Sequence, residues 1–206
     1  MRVGVIGCGY WGPNLIRNFN GLPDAEVVTI ADLDQDRLAK VGLLYPSTKK
    51  TTDHREIIDD PSVDAVVVAT AMSSHFKLGM EALEAGKHVF VEKPMCTNSE
   101  DCRTLIAEAD RRGLTLMVGH TFVYSSPVRM IKDLIDRNEL GEIYYANFTR
   151  VNLGIFQKDA NVIWDLAPHD VAMLSYLFGA DPVAVTATGH CYVQKELGVE
   201  DVAFVN

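Results

Sequence analysis

The chain opens on Arg2-Val3-Gly4-Val5-Ile6-Gly7-Cys8-Gly9-Tyr10-Trp11-Gly12, and this stretch decides its fold. Val3–Ile6 is a short apolar, β-branched run, the texture of a strand buried on both faces of a parallel sheet. Gly7, Gly9 and Gly12 then fall at the spacing G-x-G-x-x-G, with a helix expected directly after them. Strand, glycine spacing and helix in that order make the dinucleotide-binding fingerprint. Gly7 would permit the tight turn, Gly9 the approach of a pyrophosphate to the backbone, and Gly12 the close packing of helix on strand. Amides at the helix start would then hold the anion, with Tyr10 and Trp11 beside it. Asp32 lies 20 residues after Gly12, at the end of a second apolar run, Val27–Ala31. A carboxylate there hydrogen-bonds the ribose hydroxyls of the adenosine half. Leu33 and Asp34 follow, offering no neighbouring cation for a 2′-phosphate, so NAD is expected rather than NADP.

Further along, Ala65–Ala69, His88–Glu92 and Leu114–Gly119 repeat the strand texture. Helical patterns lie between them. Cys102, Leu105, Ile106 and Ala109 recur at helical spacing, with Asn98 or Ser99 as cap and a stop near Gly113. A second helix is expected from His75 to Ala85, ended by Gly86. Strand–helix–strand alternation implies right-handed crossovers and a doubly wound parallel sheet. After Gly119 the rhythm changes. A helix is expected from Ser126 to Asn138, a long strand from Glu142 to Leu153, a helix near Leu166–Phe178, and strands near Val183–Gly189 and Asp201–Val205. The expected organisation is an α/β chain with a Rossmann domain at 1–120 and a strand-rich α+β domain with an open sheet at 121–206. The last residues, Val202–Asn206, alternate as the middle of a strand does, so the second domain is expected to be incomplete.

Composition narrows the classes. The 206 residues are 48% hydrophobic and 23% charged, which excludes a disordered or collagen-like chain. The formal net charge of −9 argues against nonspecific nucleic-acid binding, which depends on basic residues. No apolar run approaches the ~20 residues of a membrane-crossing helix. No signal peptide is visible, and Cys8, Cys96, Cys102 and Cys191 show neither zinc nor redox spacing. A cytoplasmic protein with reduced thiols, no metal and no membrane partner is the expectation.

Two further constellations carry chemistry. Glu92-Lys93-Pro94 follows a strand, at the sheet end where open α/β folds bind ligands. Lys93 would hydrogen-bond a substrate oxygen and stabilise negative charge on it; an ordinary surface lysine is the alternative. Asp165 and His169 lie four residues apart and share a helix face. The carboxylate would orient the imidazole, which would move a proton. Alternatively Asp165 caps the helix, with Pro168 in its first turn.

Val5-Ile6-Gly7-Cys8-Gly9, Glu92-Lys93-Pro94, Gly119-His120-Thr121-Phe122 and Trp164-Asp165-Leu166-Ala167-Pro168-His169-Asp170 together resemble the glucose–fructose oxidoreductase / inositol dehydrogenase / MocA family, in the right order along the whole chain. The resemblance implies NAD(P)-dependent hydride transfer on sugars, inositols and nucleotide sugars, and oligomers (dimer or tetramer) formed through the C-terminal sheet. It implies Lys93 and His169 as catalytic groups with Asp165 as partner, and Glu92 and Lys93 along the nicotinamide. Thr70 and His75 would line the cofactor. Tyr124, Arg150, Asn152, Asn161 and Trp164, with Lys93 and His169, would face the substrate, and the stretch from Arg150 to His169 is most similar to members acting on nucleotide sugars. In the implied reaction a carbinol lies at the domain crevice, His169 takes the hydroxyl proton and Lys93 holds the oxygen. Ala71 stands where many members have proline after the threonine, and Val123 where many have arginine or asparagine between aromatics. A non-catalytic NAD-binding sensor is the rival class; it would not need Lys93, Asp165 and His169 together.

Overall fold

A computed structural model describes residues 1–151, 160–193 and 195–206. The chain divides into two compact units, Met1–Gly119 and His120–Asn206.

In the first unit the elements run β1 (Arg2–Ile6), α1 (Gly12–Asn20), β2 (Glu26–Ala31), α2 (Gln35–Leu44), β3 (Lys49–Thr51), α3 (Arg55–Ile58), β4 (Ala65–Val68), α4 (His75–Glu84), β5 (His88–Val91), α5 (Ser99–Arg112) and β6 (Leu116–Val118). The six strands form one parallel sheet in the order β3-β2-β1-β4-β5-β6. Strand order reverses between β1 and β4. A crevice opens at such a reversal because the crossovers on its two sides leave over opposite faces of the sheet. Each of the five apolar runs becomes a strand. The sixth strand, β3, has no such run: Lys49-Lys50-Thr51 sits at the sheet edge with both lysines in water, so burial left no apolar signature.

Side chains alternate across the sheet, as period two demands. Val66 and Val68 join Ile57, Leu83 and Leu105 on one face, while Val67 joins Val3, Val5, Ile16 and Ile30 on the other. The ends of α5 show why the sequence breaks where it does. The Asn98 side chain accepts from the Asp101 amide at 2.8 Å, Glu100 and Asp101 occupy the first turn, and Gly113 closes the helix at φ 65°. Arg111 and Arg112 sit in the last turn, complementing the helix dipole and pairing with Glu108.

The second unit holds α6 (Ser126–Asp136), α7 (Val162–Phe178), β7 (Ala187–His190) and β8 (Val202–Val205), the last two as an antiparallel pair. Val128, Met173 and Leu177 form its core with Val123, Ile135, Phe148 and Tyr176. Among the described residues the expectation of a strand-rich unit is corrected: the helices take 11 and 17 residues and the strands 4 each. The strand expected from Glu142 is also absent over 142–151. A strand is defined by its ladder, and no described segment pairs with this one; Leu153 lies outside the described residues. The strand expected from Val183 begins at Ala187, opposite Val205, the last residue of β8. Helix α7 starts four residues before the expected Leu166, because Asn161 caps it.

Leu83 is fully buried between α4 and the sheet. Leu83→Ala should lower stability by about 2–5 kcal/mol through lost contacts and the cavity left behind. A thermal or urea melt followed by circular dichroism measures this.

Candidate functional site

At the end of β1 the backbone turns sharply. Gly7 adopts φ 103°, and a Cβ on it would lie 2.4 Å from the Ala69 carbonyl oxygen. A Cβ on Gly12 would lie 2.1 Å from the Gly7 carbonyl oxygen. Both positions exclude any side chain, one because β1 and β4 end side by side, the other because α1 starts against the turn. Gly9 differs: a Cβ there would meet only Arg37 Nη1, at 3.7 Å. Its backbone therefore faces open space that a ligand can approach. No side chain caps α1, no acidic residue occupies its first turn, and Pro13 stands in that turn. This cradle fits a dinucleotide pyrophosphate. Tyr10 and Trp11 flank it, largely exposed and edge to face at 5.6 Å.

Asp32 closes the other side. Its Oδ2 accepts from the Cys8 amide at 2.6 Å and its Oδ1 from the Asp34 amide at 2.8 Å. The carboxylate is thereby oriented by the glycine loop itself, and each oxygen keeps a lone pair for a ribose hydroxyl. Burial, reinforced by the charge of Asp32, pushes the Cys8 thiol up to about 12, so it stays neutral and packs as an apolar group. One expectation is corrected. A cation does stand near Asp32: Asp34 caps α2, and Arg37, one turn on, reaches back so that its Nε lies 3.2 Å from Asp34 Oδ2 and its Nη1 faces Gly9. The helical return of α2 makes Arg37 a neighbour that reading only the two residues after Asp32 missed.

Across the strand reversal, Thr70 follows β4, with its Oγ1 2.7 Å from Ser74 Oγ. The expectation that His75 lines the cofactor is corrected: it begins α4 with its ring buried and turned inward among backbone carbonyls, leaving no surface for a ligand. Glu92 and Lys93 follow β5. The Glu92 amide donates to the Val68 carbonyl at 2.9 Å, continuing the ladder one residue past the strand. Its side chain is buried, and a Cβ on Gly119 would lie 3.1 Å from its carboxylate. Gly119 is thus small because Glu92 fills the space beside it. Burial raises the Glu92 carboxyl above its ordinary value, partly offset by the Lys93 amide and ammonium. Lys93 itself is half-buried.

In the second unit the Asn161 side chain accepts from the Trp164 amide at 3.1 Å and caps α7. The alternative of Asp165 as the cap is thereby excluded; it lies within the first turn, one turn before His169 on the same face. Pro168 is interior to the helix rather than in its first turn, so the Trp164 carbonyl lacks its usual helical donor. His169 is buried, its ring edge-on to Phe122 at 4.7 Å between centroids. Arg150 carries its guanidinium 4.7 Å from the Phe122 ring centre and grips Asp170 at 2.9 and 3.0 Å. Arg150 therefore already has a carboxylate partner, which sequence spacing could not show. Tyr124 lies exposed under the guanidinium of Arg129, at 5.2 Å. Trp164 is exposed, Asn161 also reaches Glu200 at 3.4 Å, and Asn152 lies outside the described residues. Among the described residues no group of His, Cys, Asp and Glu could hold a metal, and no helix is long and apolar enough to cross a membrane.

The parallel sheet, the glycine cradle at its reversal and the oriented Asp32 define an NAD-binding Rossmann protein. The model of the oxidoreductase family with an NAD-binding Rossmann fold matches residues 1–120, and that of the GFO/IDH/MocA C-terminal domain matches residues 128–206. The chain belongs to the Gfo/Idh/MocA oxidoreductase family. It is 29% identical over 203 residues to a myo-inositol 2-dehydrogenase of Thermotoga maritima, covering 96% of this chain and 61% of that protein. It is 29% identical to the scyllo-inositol 2-dehydrogenase (NAD(+)) of Bacillus subtilis, covering 92% and 57%. Among solved structures, GenD2 from gentamicin A biosynthesis in complex with NAD superposes with TM-score 0.89 at 25% identity, covering 100% of this chain and 61% of that one. A probable dehydrogenase from Thermotoga maritima superposes with TM-score 0.86 at 28% identity, covering 100% and 64%. The chain thus spans about three fifths of the length of these relatives.

The burial of Glu92 has a measurable consequence. Its carboxyl pKa lies above 4.5 in the folded chain, so the folded state binds the proton more tightly than the unfolded one. Stability therefore falls as pH rises from the ordinary carboxylate range through the folded-state value. Glu92→Gln should melt above the wild type at neutral pH, with the difference shrinking below about pH 4. Thermal melts across that range check it.

Proposed function

We propose that this chain transfers hydride between NAD and the carbinol or ketone carbon of an inositol, sugar or nucleotide sugar. The observation that carries the reading is a conjunction. The cofactor cradle follows β1 and Lys93 follows β5, two strands of one sheet on either side of β4, and the same chain carries an Asp165–His169 pair on one helix face with the imidazole seated against Phe122. A protein that only binds NAD has no use for the last three polar groups. The inositol dehydrogenases among its relatives support the substrate class.

Residues 1–120 hold the cofactor and residues 121–206 supply groups for the substrate. Gly7, Gly9 and Gly12 admit the pyrophosphate, Tyr10 and Trp11 cover it, and Thr70 and Glu92 line its nicotinamide half. Asp32 takes the ribose hydroxyls; its carboxylate disfavours a 2′-phosphate, and Asp34 engages the neighbouring guanidinium of Arg37, so NAD is preferred to NADP. When bound, the nicotinamide accepts or gives the hydride. Lys93 donates to the substrate oxygen and stabilises its alkoxide character. His169 takes the hydroxyl proton on one ring nitrogen, and Asp165 holds the imidazole in the tautomer that leaves this nitrogen basic. Tyr124, Asn161 and Trp164 border the substrate, and Arg150 acts there in its pairing with Asp170.

Inositols, free sugars and nucleotide sugars, offered with NAD and followed by NADH absorbance, test the reading. His169→Ala and Lys93→Ala should each lower turnover about 10²–10⁴-fold while NADH fluorescence titration stays near wild type. Turnover surviving both substitutions would overturn the assignment of Lys93 and His169; none with any substrate despite tight NADH binding would favour the sensor. Seven of the eight residues of β7 and β8 are exposed, which supports self-association through this pair. Sedimentation should register a dimer or tetramer.

A further inference from the structure

His75 is the most buried histidine described, 1% exposed, at the first position of α4. Its Nδ1 lies 2.9 Å from the Pro94 carbonyl oxygen and its Nε2 3.1 Å from the Thr70 carbonyl oxygen. These carbonyls belong to the two loops that leave the adjoining strands β4 and β5. One loop carries Thr70; the other carries Lys93, one residue before Pro94. A single buried ring thus spans the separation between two loops of the cofactor side of the sheet.

The contact chemistry is specific. Both partners are acceptors, and a neutral imidazole has one N–H to offer. The ring donates to one carbonyl as a neutral tautomer and to both as imidazolium. An aliphatic side chain would fill the space yet leave part-buried carbonyls without this donor, a loss felt directly in the loops that carry them. Two other side-chain ties of this unit act elsewhere. Thr70 and Ser74 bond within their own loop, and Lys87, also buried, donates at 2.7 Å to the carbonyls of Asp60 and Val63 before β4.

We propose that His75 is a positioning residue: it touches neither cofactor nor substrate, and by bridging Pro94 and Thr70 it holds the loop that presents Lys93 in register with the loop after β4. The proposal rests on the reading of Lys93 as a catalytic group, but its structural half is measurable without turnover.

The experiment compares the wild-type chain with His75→Leu, His75→Asn, His75→Gln and Lys93→Ala. The probe is an amine-reactive succinimidyl ester, with the rates at Lys93 and Lys87 read separately by peptide mass spectrometry. Losing the bridge loosens one loop and not the fold, so His75→Leu should speed labelling of Lys93 about tenfold and leave Lys87 unchanged. The amide nitrogen of Asn falls near the imidazole Nδ1 and that of Gln near Nε2. His75→Asn should therefore restore slow labelling of Lys93 through Pro94, and His75→Gln should not. NADH affinity should stay within about threefold of wild type, and kcat should fall about tenfold at unchanged KM for NAD. Unchanged Lys93 labelling in His75→Leu overturns the proposal. So does a parallel rise at Lys87, which marks a purely structural role, or a tenfold loss of NADH affinity, which marks a cofactor contact. Wild-type turnover by Lys93→Ala overturns the catalytic reading of that lysine instead, and the labelling still decides whether His75 holds its loop.

Discussion

The first unit depends on one close approach. Where β1 ends, the Gly7 carbonyl lies so near the start of α1 that Gly12 has no room for a Cβ, and the Ala69 carbonyl at the end of β4 leaves none for Gly7. Three backbone segments meet within van der Waals contact, something possible only where side chains are absent. That meeting places the half-buried Gly9 at the strand reversal, with two apolar layers on opposite faces of the sheet behind it. A methyl group at either glycine would push α1 off the sheet and separate the turn from β4, closing the cradle and opening the core together.

Around this meeting point, polar side chains are used mainly to hold backbone. Asp32 accepts the amides of Cys8 and Asp34, Asp34 caps α2 and pairs with Arg37, and Lys87 and His75 both address carbonyls. Buried or half-buried polar groups of this kind stabilise only when they find partners. Here the partners are the loops at the sheet ends, so satisfying them also sets loop geometry. The second unit repeats the logic with side chains: Asp170 holds Arg150, whose guanidinium lies over Phe122, whose ring meets the edge of His169. The imidazole is seated by aromatic packing and its neighbour by an ion pair.

Much of this was legible before any coordinates. The strands that are buried on both faces announced themselves as apolar runs, and the glycine spacing predicted each glycine's separate role. The ends of α5 were readable from Asn98 and Gly113 because caps are local chemistry. What failed was whatever depends on a neighbour distant in sequence. The edge strand β3 had no apolar signal, the alternation after Glu142 met no ladder partner among the described residues, and Arg37 came close to the glycine loop only through the turn of α2. The carboxylate that holds Arg150, Asp170, stands 20 residues away and gave no local sign of the pairing.

The sequence by itself determined the doubly wound sheet, the cofactor cradle with its carboxylate, and the four-residue spacing of Asp165 and His169. These follow from steric exclusion, local capping and helical periodicity, which act over a few residues. The tertiary structure decided which polar groups already have partners. It turned Asn161 into the cap of α7, bound Arg150 to Asp170, raised the Glu92 carboxyl by burying it and set His75 between two carbonyls. Burial and partnership are properties of the folded surroundings, and residues that are strangers in sequence supply them.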